Sequence, residues 1–102
     1  MAQVIVSDLA DTDSMRIWED LTRDAGYGVA ARYNAEFESL YERLADLPES
    51  CQSRPKLGAH VRVGVVRPYL VVYRHRKGSD KVEIIRILHG SRNITRRLLT
   101  GG

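Results

Sequence analysis

Cysteine is almost missing from this chain. Cys51 is the only one among 102 residues, so no internal disulfide can form. One thiol, three scattered histidines (His60, His75 and His89) and no Cys-x-x-Cys pair give a structural zinc site no basis, and neither metal nor other cofactor is expected. No uninterrupted apolar run approaches the ~20 residues a membrane span needs. No basic segment followed by an apolar core opens the chain, so no secretory signal is expected and the cytoplasm is the expected location. Glycine-rich phosphate loops, paired-carboxylate sites, nucleophile motifs, repeats and low-complexity stretches are absent as well. The hydrophobic fraction of 43% and charged fraction of 28% exclude the composition of a disordered chain. At this length the expectation is one domain spanning residues 1–102.

Acids are scarce in the second half. Residues 51–102 carry twelve Lys and Arg against Asp80 and Glu83, a net of +10. Residues 1–50 carry four Arg against eleven acids, a net of −7. The overall +3 therefore hides a split field, able to steer anionic partners to one half and basic partners to the other. Solvated faces account for the same split, and from charge alone that plainer reading is favoured.

Gln3 to Ser7 is a short β-branched run and predicts a strand. Asp8, Asp11 and Asp13 follow, as acids do near a helix N-terminus. Ile17, Trp18 and Leu21 give the helix an apolar stripe, and Asp24 to Gly28 breaks it. Ala30, Tyr33, Phe37, Leu40, Leu44 and Leu47 then recur at spacings of three and four, one face of a long helix stopped by Pro48. Glu49 to Ala59 reads as a polar linker. Val61–Val66 and Tyr69–His75 are strand-like and split by the turn Arg67-Pro68. Lys77 to Asp80 is a second turn, and Val82–Leu88 is apolar on both faces, hence a central strand. A terminal helix is expected over Ile94–Thr100, pinned by Ile94 and Leu98 and ended by Gly101-Gly102. The fold class is α+β: an N-terminal strand, an αα-hairpin packed on a mainly antiparallel four-stranded sheet, and a short C-terminal helix. The hairpin should meet the sheet through Ile17, Leu21, Tyr33, Phe37, Leu40 and Leu44.

Several groups invite a functional reading, and each has a plainer one. The arginines of the strands and tail offer an anion surface, or a solvated face paired to acids. Tyr69 and Tyr73 share a strand face and fit base stacking, or a core with hydroxyls at its rim. His89-Gly90-Ser91-Arg92 follows the last strand and fits an acid/base beside a phosphate clamp. Alternatively, Gly90 allows a bend and His89 bonds locally, which is favoured for a lone histidine. Cys51 reads as a bystander, although Arg54 and Lys56 are close enough in sequence to favour its thiolate.

Taken in order, these pieces resemble the ParE branch of the RelE/ParE toxin superfamily, the toxins of bacterial toxin–antitoxin pairs. The resemblance covers most of the chain. It runs from the opening strand and Ile17-Trp18 through Leu44-Ala45-Asp46-Leu47-Pro48, Arg54-Pro55-Lys56-Leu57-Gly58 and Tyr69-Leu70-Val71-Val72-Tyr73-Arg74. It is strongest at Val82 to Arg92, which is similar to the family's strand followed by His-Gly-Ala-Arg. RelE-like members cut messenger RNA on the ribosome. Their basic and aromatic set falls here on Val61, Val63, Leu70 and the neighbourhood of Leu98, and only Arg92 has a counterpart. Apolar side chains cannot stabilise charge on a transferring phosphate.

The resemblance therefore implies a toxin that is not an enzyme. It would trap DNA gyrase, through its A subunit, in the cleaved complex with DNA, and a cognate ParD-like antitoxin would neutralise it in a hetero-oligomer. The target surface would be Arg86, His89, Arg92, Arg96 and Arg97. The antitoxin surface would be Ile17, Trp18, Leu21, Tyr33 and Phe37. Two alternatives stand beside it. One is a RelE-like ribosome-dependent endonuclease built on Arg62, Arg67, Arg86, His89 and Arg92. The other is an inactive toxin that only binds antitoxin and co-regulates the operon.

Overall fold

The computed structural model describes residues 1–101. Strand β1 (Gln3–Val6) leads into helices α1 (Asp8–Ala25) and α2 (Tyr27–Asp46). Strands β2 (Gln52–Ser53), β3 (Val61–Val66), β4 (Tyr69–Arg76) and β5 (Lys81–His89) follow, and α3 (Arg96–Leu99) closes the chain. One sheet holds all five strands in the order β1-β5-β4-β3-β2. Only β1 runs parallel to its neighbour. The αα-hairpin carries the chain across the sheet from β1 at one edge to β2 at the other.

Ser7 starts α1. Its Oγ accepts the amide of Ala10 at 3.1 Å, the usual N-cap bond. The break between the helices is narrower than the sequence implies. Gly26 alone makes it, at φ 95°, where a side chain would be strained, and Gly28 is already helical. The α2 stripe buries Ala30, Phe37, Leu40 and Leu44. Leu47 does not extend it: this residue caps the helix and is 59% exposed, because the last turn ends at Asp46.

The core on the helical face joins Phe37, Leu40 and Leu44 to Val66, Val71, Tyr73, Val82, Ile84 and Ile87, with Ile17 and Tyr33 packed at its margin. Leu21 is not part of it and lies in the crevice between the helices. Tyr73 is fully buried and its hydroxyl donates to the carbonyl of Pro48 at 2.8 Å, tying the end of α2 to the sheet. A second core fills the opposite face from Leu57, Val61, Val63, Val72 and Ile85, covered by Ile94 and Leu99. Both faces of the sheet are therefore closed, which explains why β5 carries no polar stripe.

Three expectations need correction here. The sheet has five strands, not four. Glu49–Ala59 is not a bare linker, since Gln52 and Ser53 pair with Val63 and Arg62, and Pro55–Leu57 makes one turn of 3-10 helix. The terminal helix begins at Arg96, and Ile94 packs from the extended chain before it. Gly102, expected to end that helix with Gly101, lies outside the described residues.

The largest departure concerns Asp13 and Arg86. Pairing with β4 slips between Val72 and Tyr73, so that Ile85 is an extra residue in β5. Val82 and Ile84 face the helices before this bulge, and Ile87 does so after it. Arg86, next to the bulge, is buried at 9% exposure. Its Nε and Nη2 donate to the two carboxylate oxygens of Asp13 at 2.8 and 2.9 Å, and its Nη1 donates to the carbonyl of Leu98 at 2.6 Å. The Ile87 amide donates to the same carboxylate at 3.0 Å. Asp13 is thus no dipole acid at a helix start. It is the internal partner of a strand arginine, and its hydrogen bond raises the Arg86 pKa against the opposing effect of burial.

Phe37→Ala is expected to cost about 3–5 kcal/mol, read as a melting transition several degrees lower. A melting curve within a degree or two of wild type would refute the register of α2. Asp13→Ala is expected to cost a similar ~3–5 kcal/mol, because Arg86 would stay buried without a counter-charge. Adding Arg86→Met should recover part of that loss in denaturant titrations. No recovery would mean that the charge is not the reason.

Candidate functional site

The end of β5 carries the one histidine that the sequence singles out. His89 stands opposite Tyr69 in the β4–β5 register, and their rings meet edge to face at 5.9 Å. Tyr69 in turn touches Tyr33 edge to face at 5.7 Å and Phe37 at 5.8 Å. An aromatic chain therefore fixes the strand end against α2. Burial pushes the Tyr69 phenol above its usual pKa, with smaller effects from Tyr33 and Asp20, so it stays a neutral donor.

The chain turns sharply after His89. The Gly90 amide donates to the carbonyl of Pro68 at 2.7 Å, and a Cβ on Gly90 would sit 3.0 Å from that oxygen. Glycine is needed for this close approach. The Ser91 amide donates to His89 Nδ1 at 3.1 Å, and Ser91 Oγ lies 2.7 Å from the same nitrogen. Nδ1 therefore acts as an acceptor, which assigns the ring proton to Nε2. In this state the ring offers a donor to solvent and keeps its lone pair for its own loop.

A cavity of about 220 Å³ opens beside this loop, between Arg16, Ile17 and Asp20 of α1 and Tyr69, His89 and Arg92. Asp13 and Ile87 close its floor. Arg16 and Asp20 join the site although no sequence motif points to them. Their signal is the spacing 13, 16, 17, 20, one face of α1, legible only once Asp13 is known to point inward.

Of the five residues expected to meet the target, only His89 and Arg92 share this cavity. Arg86 must be removed from that set, since it is buried and paired. Arg96 and Arg97 are exposed on α3, and Arg96 Nε donates to the carbonyl of Lys56 at 2.8 Å. The alternative nuclease set does not converge either. Arg62 donates to the carbonyls of Glu49 and Cys51, four positions along β3 from Val66 and so about 13 Å from the His89 end. Arg67 lies in the β3–β4 turn and lines a different groove.

Ile17, Trp18, Leu21, Tyr33 and Phe37 do come together, around the crevice between α1 and α2. That crevice is only about 20 Å³, little more than the room one water needs. Phe37 is buried within it, so a partner can reach only the rim. Outside it lies a groove of about 300 Å³ lined by Asp11, Ser14, Met15, Trp18, Glu19 and Asn34, with an acidic edge and an apolar floor. Cys51 is half-buried against the helix-side core. Among the described residues no cluster of three or more His, Cys, Asp or Glu could hold a metal ion, and no helix is long and apolar enough to cross a membrane.

A small α+β domain, with a helical hairpin on a mainly antiparallel sheet and a basic loop at the sheet end, is the architecture of the RelE/ParE-type toxins. The family model for the ParE toxin of the type II toxin-antitoxin system, parDE, matches residues 4–94, and the chain belongs to that family. Toxin ParE3 of Caulobacter vibrioides is 33% identical over 98 residues, which span 96% of this chain and 96% of that protein. The solved chromosomal ParDE TA system from P. aeruginosa contains a chain that superposes with a TM-score of 0.72, covering 87% of this chain and 96% of that one. At 18% identity, that likeness speaks for the fold.

Gly90→Ala is expected to destabilise the domain by about 1–3 kcal/mol, as other overpacked substitutions do, and to shift the His89 and Ser91 amide resonances. Unchanged stability and spectra would show that the loop tolerates a Cβ.

Proposed function

We propose that this ParE-family chain inhibits DNA gyrase by binding its cleaved complex with DNA, and that a ParD-like antitoxin neutralises it in the cytoplasm. Inhibition would rest on binding and not on chemistry. The observation that carries this reading is the dispersal of the groups a nuclease would need. His89 spends its lone pair on Ser91, Arg86 is paired inside the core, and Arg62 holds the segment before β2. General base catalysis needs a free lone pair within reach of the substrate. At the strand end and on α3 the exposed positive charge is that of Arg16, Arg92, Arg96 and Arg97, suited to phosphates and acidic protein surface.

The antitoxin would dock on the opposite charge. The groove beside Trp18 has Asp11 and Glu19 at its rim and Met15 exposed in its wall, a fit for a basic amphipathic segment that folds on contact. Trp18, stacked edge to face on Tyr27 at 5.6 Å, gives that surface a rigid aromatic anchor.

Supercoiling and cleavage assays with purified gyrase test the reading directly. His89→Gln keeps size and hydrogen bonding but removes proton transfer, and it is expected to remain toxic and to inhibit gyrase. Single changes of Arg92, Arg96 or Arg97 to Gln should weaken inhibition in graded steps, each lowering the salt slope of binding by about one. If His89→Gln abolishes toxicity while fold and antitoxin binding survive, and messenger RNA is cleaved in a translating extract, the endonuclease reading replaces this one.

A further inference from the structure

We propose that the groove beside the free end of β3 receives an acidic, extended peptide segment of a partner protein, seated as an added strand. Strand β2 covers only the start of β3. Gln52 and Ser53 pair with Val63 and Arg62, and the Arg54 amide donates to Val61. Beyond them, Gly64, Val65 and Val66 pair with β4, and among the described residues no other strand takes up their outer edge. An open edge of this kind is a template for another chain unless something guards it. Val65 is 56% exposed there, and the usual guards, lysine or proline within the edge or a covering helix, are missing.

The groove next to this edge is large, about 450 Å³, and lies between β3 and α2. Its charge selects the occupant. Arg32 and Arg43 enter from α2 and Arg67 from the β3–β4 turn, against one acid, Glu36. Among the described residues none of the three arginines is in an ion pair. Arg32 lies 5.7 Å from the centroid of the Tyr33 ring, and Arg43 Nη2 is 3.9 Å from Cys51 Sγ. Neither contact satisfies a guanidinium as a carboxylate would. In an added strand, alternate side chains point to the helix side, where these arginines are. Backbone bonds to the edge would give affinity, and acids at alternate positions would give specificity. This site is separate from the acidic groove beside Trp18 and from the His89 loop. Docking here is independent of gyrase inhibition, so the gyrase assays and the experiment below can fail separately.

The probe is a capped octapeptide alternating glutamate and valine, titrated into the isotopically labelled full chain while backbone amide shifts are followed. Shifts are expected at Gly64–Arg67 and along α2 between Arg32 and Arg43. Replacing the glutamates by glutamine should weaken binding at least tenfold, and so should Arg43→Gln with Arg67→Gln in the protein. Both arginines are exposed, and an unchanged melting temperature verifies that the variant folds. No shift at Gly64–Arg67 at millimolar peptide would overturn the proposal. So would equal binding of the glutamine peptide, or equal binding by the double variant. Stronger perturbation of the same amides by an octathymidylate would assign the groove to nucleic acid instead.

Discussion

The ion pair between Asp13 and Arg86 sits where three elements meet. Strand β1 pairs with β5 only as far as Val6 opposite Ile84, yet β5 continues to His89. Without further partners, the polar groups on the β1 side of β5 beyond that point would be buried and unpaired, at a cost of about 1–3 kcal/mol each. Helix α1 supplies those partners. The Ser7 amide and hydroxyl donate to the carbonyls of Ile84 and Ile85, and Asp13 accepts from the Ile87 amide. Arg86 then satisfies the remaining carboxylate capacity and reaches across to Leu98 in α3. Helix, strand and tail are held by one ion pair.

That arrangement also sets the chemistry of the sheet end. The bulge at Ile85 shifts the facing of every later residue in β5, and so puts His89 on the helix side, against Tyr69. In an unbulged strand, Ile84 and His89 would lie on opposite faces, being an odd number of positions apart. Arg86 takes up the extra residue's neighbouring position and would be an unpaired buried charge without Asp13. The bulge, the ion pair and the aromatic chain from Phe37 to His89 are therefore one construction. The net positive field at the strand end comes from Arg16 and Arg92, because Asp13 cancels Arg86 locally.

What could be read in the sequence was whatever has a period. The α2 stripe and the alternation of β3 and β4 repeat often enough to fix element type and closely fix boundaries. Strand β2 has no such signal: Gln52 and Ser53 are exposed and join the sheet by backbone alone. The stripe carries Leu47 and Ile94 into the helices because it does not say where a helix begins or where its last turn unwinds. Asp13 was hidden by a sufficient local explanation, since an acid in the second turn of a helix fits the dipole whether or not it points inward. The cue lay in β5, where an arginine interrupts a run of isoleucines and leucines and so demands a carboxylate from elsewhere. His89 and Arg92 were legible as strand-end residues. Arg16 and Asp20 were not, because their place depends on the inward turn of Asp13.

Closing both faces of the sheet has a consequence for function. Here the helical hairpin occupies one face, and α3 with the Pro55–Leu57 turn occupies the other, so the open cavities lie at the end and edge of the sheet. The arginines have moved to what is left. Arg16 and Arg92 lie at the strand end, Arg96 and Arg97 on the tail helix, and Arg32, Arg43 and Arg67 along the open edge of β3. These are three separate basic patches. They can hold three stretches of a large, anionic partner, or several partners at once, and each contact then contributes a modest increment that salt can screen. The exposed positive charge of the domain thus lies at its edges and ends. The acidic rim beside Trp18 adds a surface of opposite sign for a partner of opposite charge.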